Sequence, residues 1–214
     1  MQAKTPPQFW TLSLVVATLG YFVEQFDLLL VGVLRIPSLT AIGVPQDELM
    51  SAGLAILNAQ MVGMVCGGLL WGILGDKKGR LYAMFGSILL YSLASIANAF
   101  VTDVNQYMLC RFLGGFGLAG EVGAAVTLVS ESLPKNRRSL GIGVLAGVGC
   151  FGLVAAIVAA KLLSWQACYI LGGVMGLALL VLRMKMLDST LFNKAVEAGV
   201  SRGNPRMLLT PKRL

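Results

Sequence analysis

Six long apolar stretches, separated by short polar segments, dominate the pattern of the chain. Each is about as long as the roughly 20 apolar residues that an α-helix needs to cross the hydrocarbon core of a bilayer. The pattern therefore predicts an all-α integral membrane protein with six transmembrane helices. The predicted spans are residues 10–34, 51–74, 81–101, 108–130, 139–163 and 166–187. The remaining polar segment, 188–214, is predicted to be a surface helix or a linker.

The composition agrees with a lipid environment. Hydrophobic residues make up 57% of the chain and charged residues 13%, against about 45–50% and about 25% in soluble domains. The first apolar stretch is longer than the core of a signal peptide and contains Glu24 and Asp27, so we expect it to remain as a helix.

The basic residues predict the orientation. With a cytoplasmic N-terminus, fourteen of the 17 basic residues lie on the inner side, whereas Arg35 and Lys161 lie outside and Arg111 lies within a span. The inner set is Lys4, Lys77, Lys78, Arg80, Lys135, Arg137, Arg138, Arg183, Lys185, Lys194, Arg202, Arg206, Lys212 and Arg213. The positive-inside rule therefore predicts cytoplasmic N- and C-termini in a plasma membrane, the bacterial inner membrane. This clustering between spans also argues against nucleic acid as a partner.

The chain lacks the residues that several classes of enzyme require. The chain has no histidine, which excludes a Ser-His-Asp triad and a His-ligated metal. It also lacks the Gly-x-x-x-x-Gly-Lys-Ser/Thr phosphate loop. All four cysteines lie in apolar stretches without metal-binding spacing. We therefore expect no enzyme activity, catalytic residue, metal or cofactor.

The segment between the second and third spans carries a recognisable motif. Residues 72–80 read GILGDKKGR, with Gly72, Asp76, Gly79 and Arg80 at the spacing of a known signature. Gly79 permits a tight turn, and Asp76 can cap the third helix or accept a hydrogen bond from a neighbouring arginine. The segment resembles the signature of the major facilitator superfamily, which implies a cytoplasmic gate. The alternative is an ordinary basic inner loop.

Two further motifs lie at the ends of the fourth span. Residues 111–121, RFLGGFGLAGE, are similar to the Arg-x-x-x-Gly pattern of that superfamily, and residues 131–138, ESLPKNRR, resemble the inner end of the same helix in sugar and organic-anion porters. This resemblance adds Glu131, Arg137 and Arg138 to the gate. It implies that residues 1–187 form the N-terminal half of the bundle, built from two inverted three-helix repeats, with 188–214 as the cytoplasmic tail or inter-half linker. A C-terminal half or a second copy is the implied partner.

Charged residues inside apolar spans are the strongest site candidates, because each is costly in a bilayer and usually faces the bundle interior. Asp27 lies about 10 Å below the predicted outer end of its span, and Arg111 about 5 Å below the end of its own. The superfamily places these two helices side by side along the cavity. We therefore predict that Asp27 carries a proton and that Arg111 is its partner; a static pair that fixes helix packing is the alternative.

Other polar residues in the spans are candidates for substrate binding. Glu24 shares a helix face with Asp27 and is predicted to bind substrate or to be a second proton site. Glu121 is either a substrate-facing carboxylate or a packing residue bonded to a neighbouring helix. The weaker candidates are Gln25, Asn58, Gln60 and Trp71.

The resemblance implies transport of a small polar solute, a sugar or an organic anion, by alternating access, with protons as the coupling ion in symport. Drug antiporters of the superfamily carry Gly-Pro in the fifth span, whereas this chain has Gly147-Val148, which favours a symporter or facilitator. The alternative is a truncated or non-transporting membrane protein that retains the fold and acts by binding a partner.

Overall fold

The computed structural model describes residues 12–78 and 80–187, and these ranges contain six α-helices and no β-strand. The helices are α1 (Leu12–Ala41), α2 (Leu49–Lys78), α3 (Arg80–Asn98), α4 (Val104–Ser132), α5 (Arg138–Leu162) and α6 (Trp165–Leu187). A single 3₁₀ turn, Lys135–Arg137, precedes α5. The predicted six-helix, all-α fold is confirmed. The tail 188–214 and Gly79 lie outside the described residues.

The first helix is longer than predicted. It continues to Ala41 through Pro37, so Arg35 is helical rather than part of an outer loop. A helix in a bilayer tolerates a proline because neighbouring helices, side chains, water and local changes of the helix satisfy the backbone groups that the proline leaves free. The chain reverses at Gly43, whose φ of 87° lies in the left-handed region that favours glycine.

Length and composition make four helical segments suitable for crossing a membrane, namely Leu14–Ala41, Leu49–Lys78, Lys135–Leu162 and Trp165–Met184. Tyr82–Asn98 is a shorter apolar helix. The fourth helix is less uniformly apolar because Arg111 and Glu121 interrupt it, and both of these side chains are buried within the bundle.

The packing repeats itself between the two halves of the bundle. The most extensive contacts join α2 to α4 and α1 to α5, and exchanging α1–α3 with α4–α6 converts the first contact into the second. Both contacts depend on glycine, since a Cβ at Gly63 or Gly67 would overlap the carbonyls of Phe112 or Phe116, and one at Gly152 would overlap that of Phe22. Small residues of this kind let helix backbones approach closely in lipid.

Candidate functional site

Two opposite charges meet between α1 and α4 in the interior of the bundle. Nη1 of Arg111 lies 3.2 Å from Oδ2 of Asp27, and each side chain is 1% exposed. The two residues that the sequence analysis pairs are therefore in direct contact. Their predicted role in proton coupling stays a prediction, because the contact alone does not distinguish a proton carrier from a static pair.

Two further side chains complete the surroundings of this pair. Ser95 of α3 donates a hydrogen bond from Oγ to Oδ1 of Asp27 at 3.1 Å. The guanidinium carbon of Arg111 lies 4.6 Å from the ring centroid of Tyr169 on α6, a cation–π geometry. Each carboxylate oxygen of Asp27 thus accepts one hydrogen bond. Nε and Nη2 of Arg111 are buried without a hydrogen-bond partner among the described residues.

A line of hydroxyl groups continues from this pair toward the C-terminal end of α1. The hydroxyl oxygens of Tyr169 and Tyr107 are 2.6 Å apart, and Oγ of Ser38 lies 2.9 Å from that of Tyr107. All three side chains are fully buried. The ion pair therefore lies at one end of a polar network that crosses α1, α4 and α6.

Close packing of α6 on α3 brings Ser95 and Tyr169 to the pair. A Cβ at Gly173 would approach the carbonyl oxygen of Ser92 to 2.7 Å, so only glycine allows this helix spacing. The Tyr91 hydroxyl donates to the carbonyl of Gly172 at 2.9 Å across the same contact. These interactions join all four helices around Asp27.

A second ion pair lies further toward the N-terminal end of α1 and the C-terminal end of α4. Nη1 of Arg183 donates to Oε2 of Glu121 at 2.9 Å, and Nη2 donates to Oε1 of the same carboxylate, the bidentate arrangement that arginine favours. Arg183 is 2% exposed. Arg183, which the sequence analysis counts among the basic residues of the inner side, is therefore buried within the bundle. Gly20 of α1 leaves the space that this ion pair occupies, because a Cβ at that position would overlap the side chains of both Arg183 and Glu121.

Glu24 lies one helical turn beyond Gly20 on the same face of α1. Its side chain is 2% exposed, and its Oε2 has no hydrogen-bond partner among the described residues. The sequence analysis gives two interpretations of Glu121. The structure agrees with the second, because the Glu121 carboxylate is bonded to Arg183 of the neighbouring helix α6. Gly20, one turn before Glu24, lies against both Glu121 and Arg183, and Glu24 interacts electrostatically with these two residues. The three residues therefore form one charged cluster.

The weaker candidates do not gather at one place. Gln60 is buried against Gly115 of α4, and Trp71 donates from Nε1 to the carbonyl of Phe116 at 2.8 Å, so both lie in the α2–α4 contact. Gln25 lies against Gly149 of α5. Asn58 is exposed on α2.

The gate motif adopts a more helical form than predicted. Gly72 and Asp76 belong to α2, which continues to Lys78, and α3 already begins at Arg80. Asp76 therefore lies in the last turns of α2 rather than in a loop. Gly79 and the side chains of Arg80 and Glu131 lie outside the described part. Arg137 is exposed, and Arg138 donates from Nε to the carbonyl of Leu133 at 3.2 Å.

Sequence reasoning missed Arg183, Ser95, Tyr107 and Tyr169 as members of the two clusters. Arg183 is followed closely by Lys185 at the end of an apolar stretch, a pattern that usually marks the membrane surface. Serine and tyrosine in a span carry no signal of their own, since they are common at helix contacts.

Comparison with known families identifies the fold and the class of protein. Residues 8–207 match the family described as Major Facilitator Superfamily. The 4-hydroxybenzoate transporter PcaK of Pseudomonas aeruginosa is 33% identical over 162 residues, which cover 73% of this chain and 36% of that protein. The niacin transporter NiaP of Acinetobacter baylyi is 33% identical over 138 residues, which cover 63% of this chain and 31% of that protein. The chain thus spans about a third of the length of these relatives.

Solved structures share the fold at low sequence identity. The inward-open xylose transporter XylE from E. coli aligns with a TM-score of 0.67 and 16% identity, covering 92% of this chain and 49% of that one. The human organic anion transporter MFSD10 aligns with a TM-score of 0.64 and 17% identity, covering 84% of this chain and 47% of that one. In both cases the chain corresponds to about half of the solved protein.

Proposed function

Because this chain belongs to the Major Facilitator Superfamily, we propose that it forms one half of a transporter that moves a small organic anion by alternating access. Transporters of this kind place the substrate between two halves that rock against each other. The second half would be supplied by further chain or by another copy. The proposed setting is the bacterial inner membrane with both termini in the cytoplasm, as the basic residues favour.

The observation that carries this proposal is the buried pair of Asp27 and Arg111, which joins α1 to α4. Ionisable residues inside membrane spans usually mark a substrate or proton pathway, because burying them is costly. When a proton binds Asp27, the carboxyl group loses its charge and its attraction to Arg111. Without this attraction α1 and α4 can shift relative to each other within the half while the two halves rock, and the pair re-forms when the proton leaves. Proton movement would thereby be coupled to solute movement as a symport.

The preference for an organic anion over a sugar rests on two observations. The curated relatives carry 4-hydroxybenzoate and niacin in their names, and both compounds bear a carboxylate. Arg111 has two nitrogens, Nε and Nη2, whose hydrogens no described residue accepts. A guanidinium with free donors is suited to a carboxylate, which can accept two parallel hydrogen bonds. The remaining polar candidates, Glu24, Gln25, Asn58, Gln60 and Glu121, are not needed for this step.

The test is solute uptake by cells that express the protein from its native gene, so that the second half of the transporter is also present. Radiolabelled 4-hydroxybenzoate, nicotinate and xylose are compared in wild-type cells, cells lacking the gene and cells treated with a protonophore. We expect gene-dependent uptake of a carboxylate that the protonophore abolishes. Xylose uptake alone would overturn the anion preference. If neutral replacements at Asp27 and Arg111 left the flux of every solute unchanged, a partner-binding role would be favoured instead.

A further inference from the structure

The charged cluster of Glu24, Glu121 and Arg183 has unequal numbers of negative and positive groups. With all three groups ionised it carries two negative charges and one positive charge, and each of the three residues is at most 5% exposed. Arg183 gives both of its terminal nitrogens to Glu121. Glu24 is left with an oxygen, Oε2, that is buried without a hydrogen-bond partner among the described residues.

We propose that this cluster is a second proton-binding site, distinct from Asp27 and Arg111, in which Glu24 holds the proton and Arg183 determines which of the two glutamates does so. A buried carboxylate without a counter-charge is strongly disfavoured, and such a group takes up a proton instead. Glu121 keeps its negative charge because the bidentate arginine compensates it. Protonated Glu24 leaves the cluster neutral.

The groups around Glu24 do not supply another counter-charge. On its own helix the nearest charged residue is Asp27, which is engaged by Arg111 of α4 and Ser95 of α3. Tyr91 of α3 interacts electrostatically with Glu24, Glu121 and Asp27, but its hydroxyl proton is donated to the carbonyl of Gly172. Among the described residues, Arg183 is therefore the one cation that the two glutamates of the cluster share.

A proton fits this site better than a metal ion does. The described residues contain no group of three His, Cys, Asp or Glu side chains placed to hold a metal. A hard cation such as Ca²⁺ or Mg²⁺ needs about six or more oxygen ligands. The single unpartnered oxygen of Glu24 is instead satisfied when one proton binds to it. Glu24 lies between the two ion pairs along α1, so a proton there could be passed toward Asp27 during the cycle; this last step rests on the proposed function.

The binding itself is tested without transport, by infrared spectroscopy of the purified protein in lipid nanodiscs near neutral pH. A protonated carboxyl group has a carbonyl stretching band that a carboxylate lacks. We expect E24Q to lose one such band. E121Q should lose the same band although Glu24 is still present, because Arg183 becomes free to pair with Glu24. R183Q should show about twice the wild-type intensity, since both glutamates then lack a counter-charge.

The opposite effects of E121Q and R183Q separate this proposal from a purely structural role, which would not change the two spectra in opposite directions. Asp103→Asn, at the exposed N-terminus of α4, is the control that leaves the band unchanged. Should R183Q not fold, the spectra of E24Q and E121Q still decide. An unchanged band in E24Q overturns the proposal, and so does loss of the wild-type band when sodium replaces potassium at constant pH. Because no solute is involved, neither result depends on whether the protein transports an anion.

Discussion

Nη1 of Arg111 on α4 lies 3.2 Å from Oδ2 of Asp27 on α1, and the contact joins the two helices deep within the bundle. Ser95 satisfies the other carboxylate oxygen, while Tyr169 faces the guanidinium. Both carboxylate oxygens of the pair are thus hydrogen-bonded, whereas Nε and Nη2 of Arg111 have no acceptor among the described residues.

Replacing Asp27 with Asn should separate accumulation from exchange. The amide is close in shape to the carboxyl group but cannot bind and release a proton, so solute can equilibrate while the coupling to the proton gradient is lost. We expect D27N cells to accumulate solute no higher than the outside concentration, whereas exchange of labelled for unlabelled solute continues. Energised uptake and counterflow assays on the same cells measure the two quantities.

The matched control for this change is Asp103→Asn. Asp103 accepts hydrogen bonds from the backbone nitrogens of Asn105 and Gln106 at the start of α4, and asparagine caps a helix about as well as aspartate. D103N should therefore keep full uphill uptake. If D27N also accumulates solute like the wild type, Asp27 is not the coupling carboxylate and the pair is static.

The stability of the pair can be measured separately from transport. Removing one partner of a buried ion pair typically costs about 3–5 kcal/mol, because the other charge is left without compensation. We expect R111Q to lower the unfolding temperature in detergent strongly and the double variant D27N/R111Q to lower it much less, since the double change removes both charges. Equal losses in the single and double variants would show that Arg111 acts through packing on Tyr169 rather than through charge.

The contrast between the two ion pairs shows what sequence reasoning can predict here. Counting about 1.5 Å per residue along each helix places Asp27 and Arg111 at similar depths inside their apolar stretches. Arg183 lies about as far inside its predicted span as Arg111 does, but Lys185 follows it closely, and such a pair of basic residues usually marks the membrane surface. Its burial depends on the room left by Gly20 on another helix, and no single-helix pattern contains that information.

The glycines of α2 illustrate the same limit. Gly63, Gly67, Gly68 and Gly72 look alike in sequence, since each is a small residue of a kind that favours close helix packing in lipid. In the structure Gly63 and Gly67 face carbonyl groups of α4, whereas Gly68 and Gly72 have no atom within 4 Å of a Cβ position outside the local backbone. The sequence pattern predicts a bundle, but only the packed helices tell which glycines the bundle requires.

This difference predicts opposite outcomes for two neighbouring substitutions. Gly67→Ala would push its methyl group into the Phe116 carbonyl and force α2 away from α4, at a cost of about 1–3 kcal/mol, typical of overpacking. Gly68→Ala meets open space, and alanine favours a helix over glycine by about 1 kcal/mol. Thermal unfolding of both variants in one detergent should show a loss for G67A and no loss for G68A. A loss in both would mean that another surface covers Gly68.

A second six-helix unit should accompany this chain in the active protein. The chain corresponds to about half of the solved relatives, and a cavity between two rocking halves needs both. We expect light scattering in mild detergent to give a protein mass of at least twice 22.7 kDa. Immunoblotting in full denaturant, with an antibody against residues 188–214, then shows whether one longer chain or two chains make up that mass. Solute uptake by a particle with the mass of one chain would contradict the two-half arrangement, because α1 and α4 would then have no opposite half against which to rock.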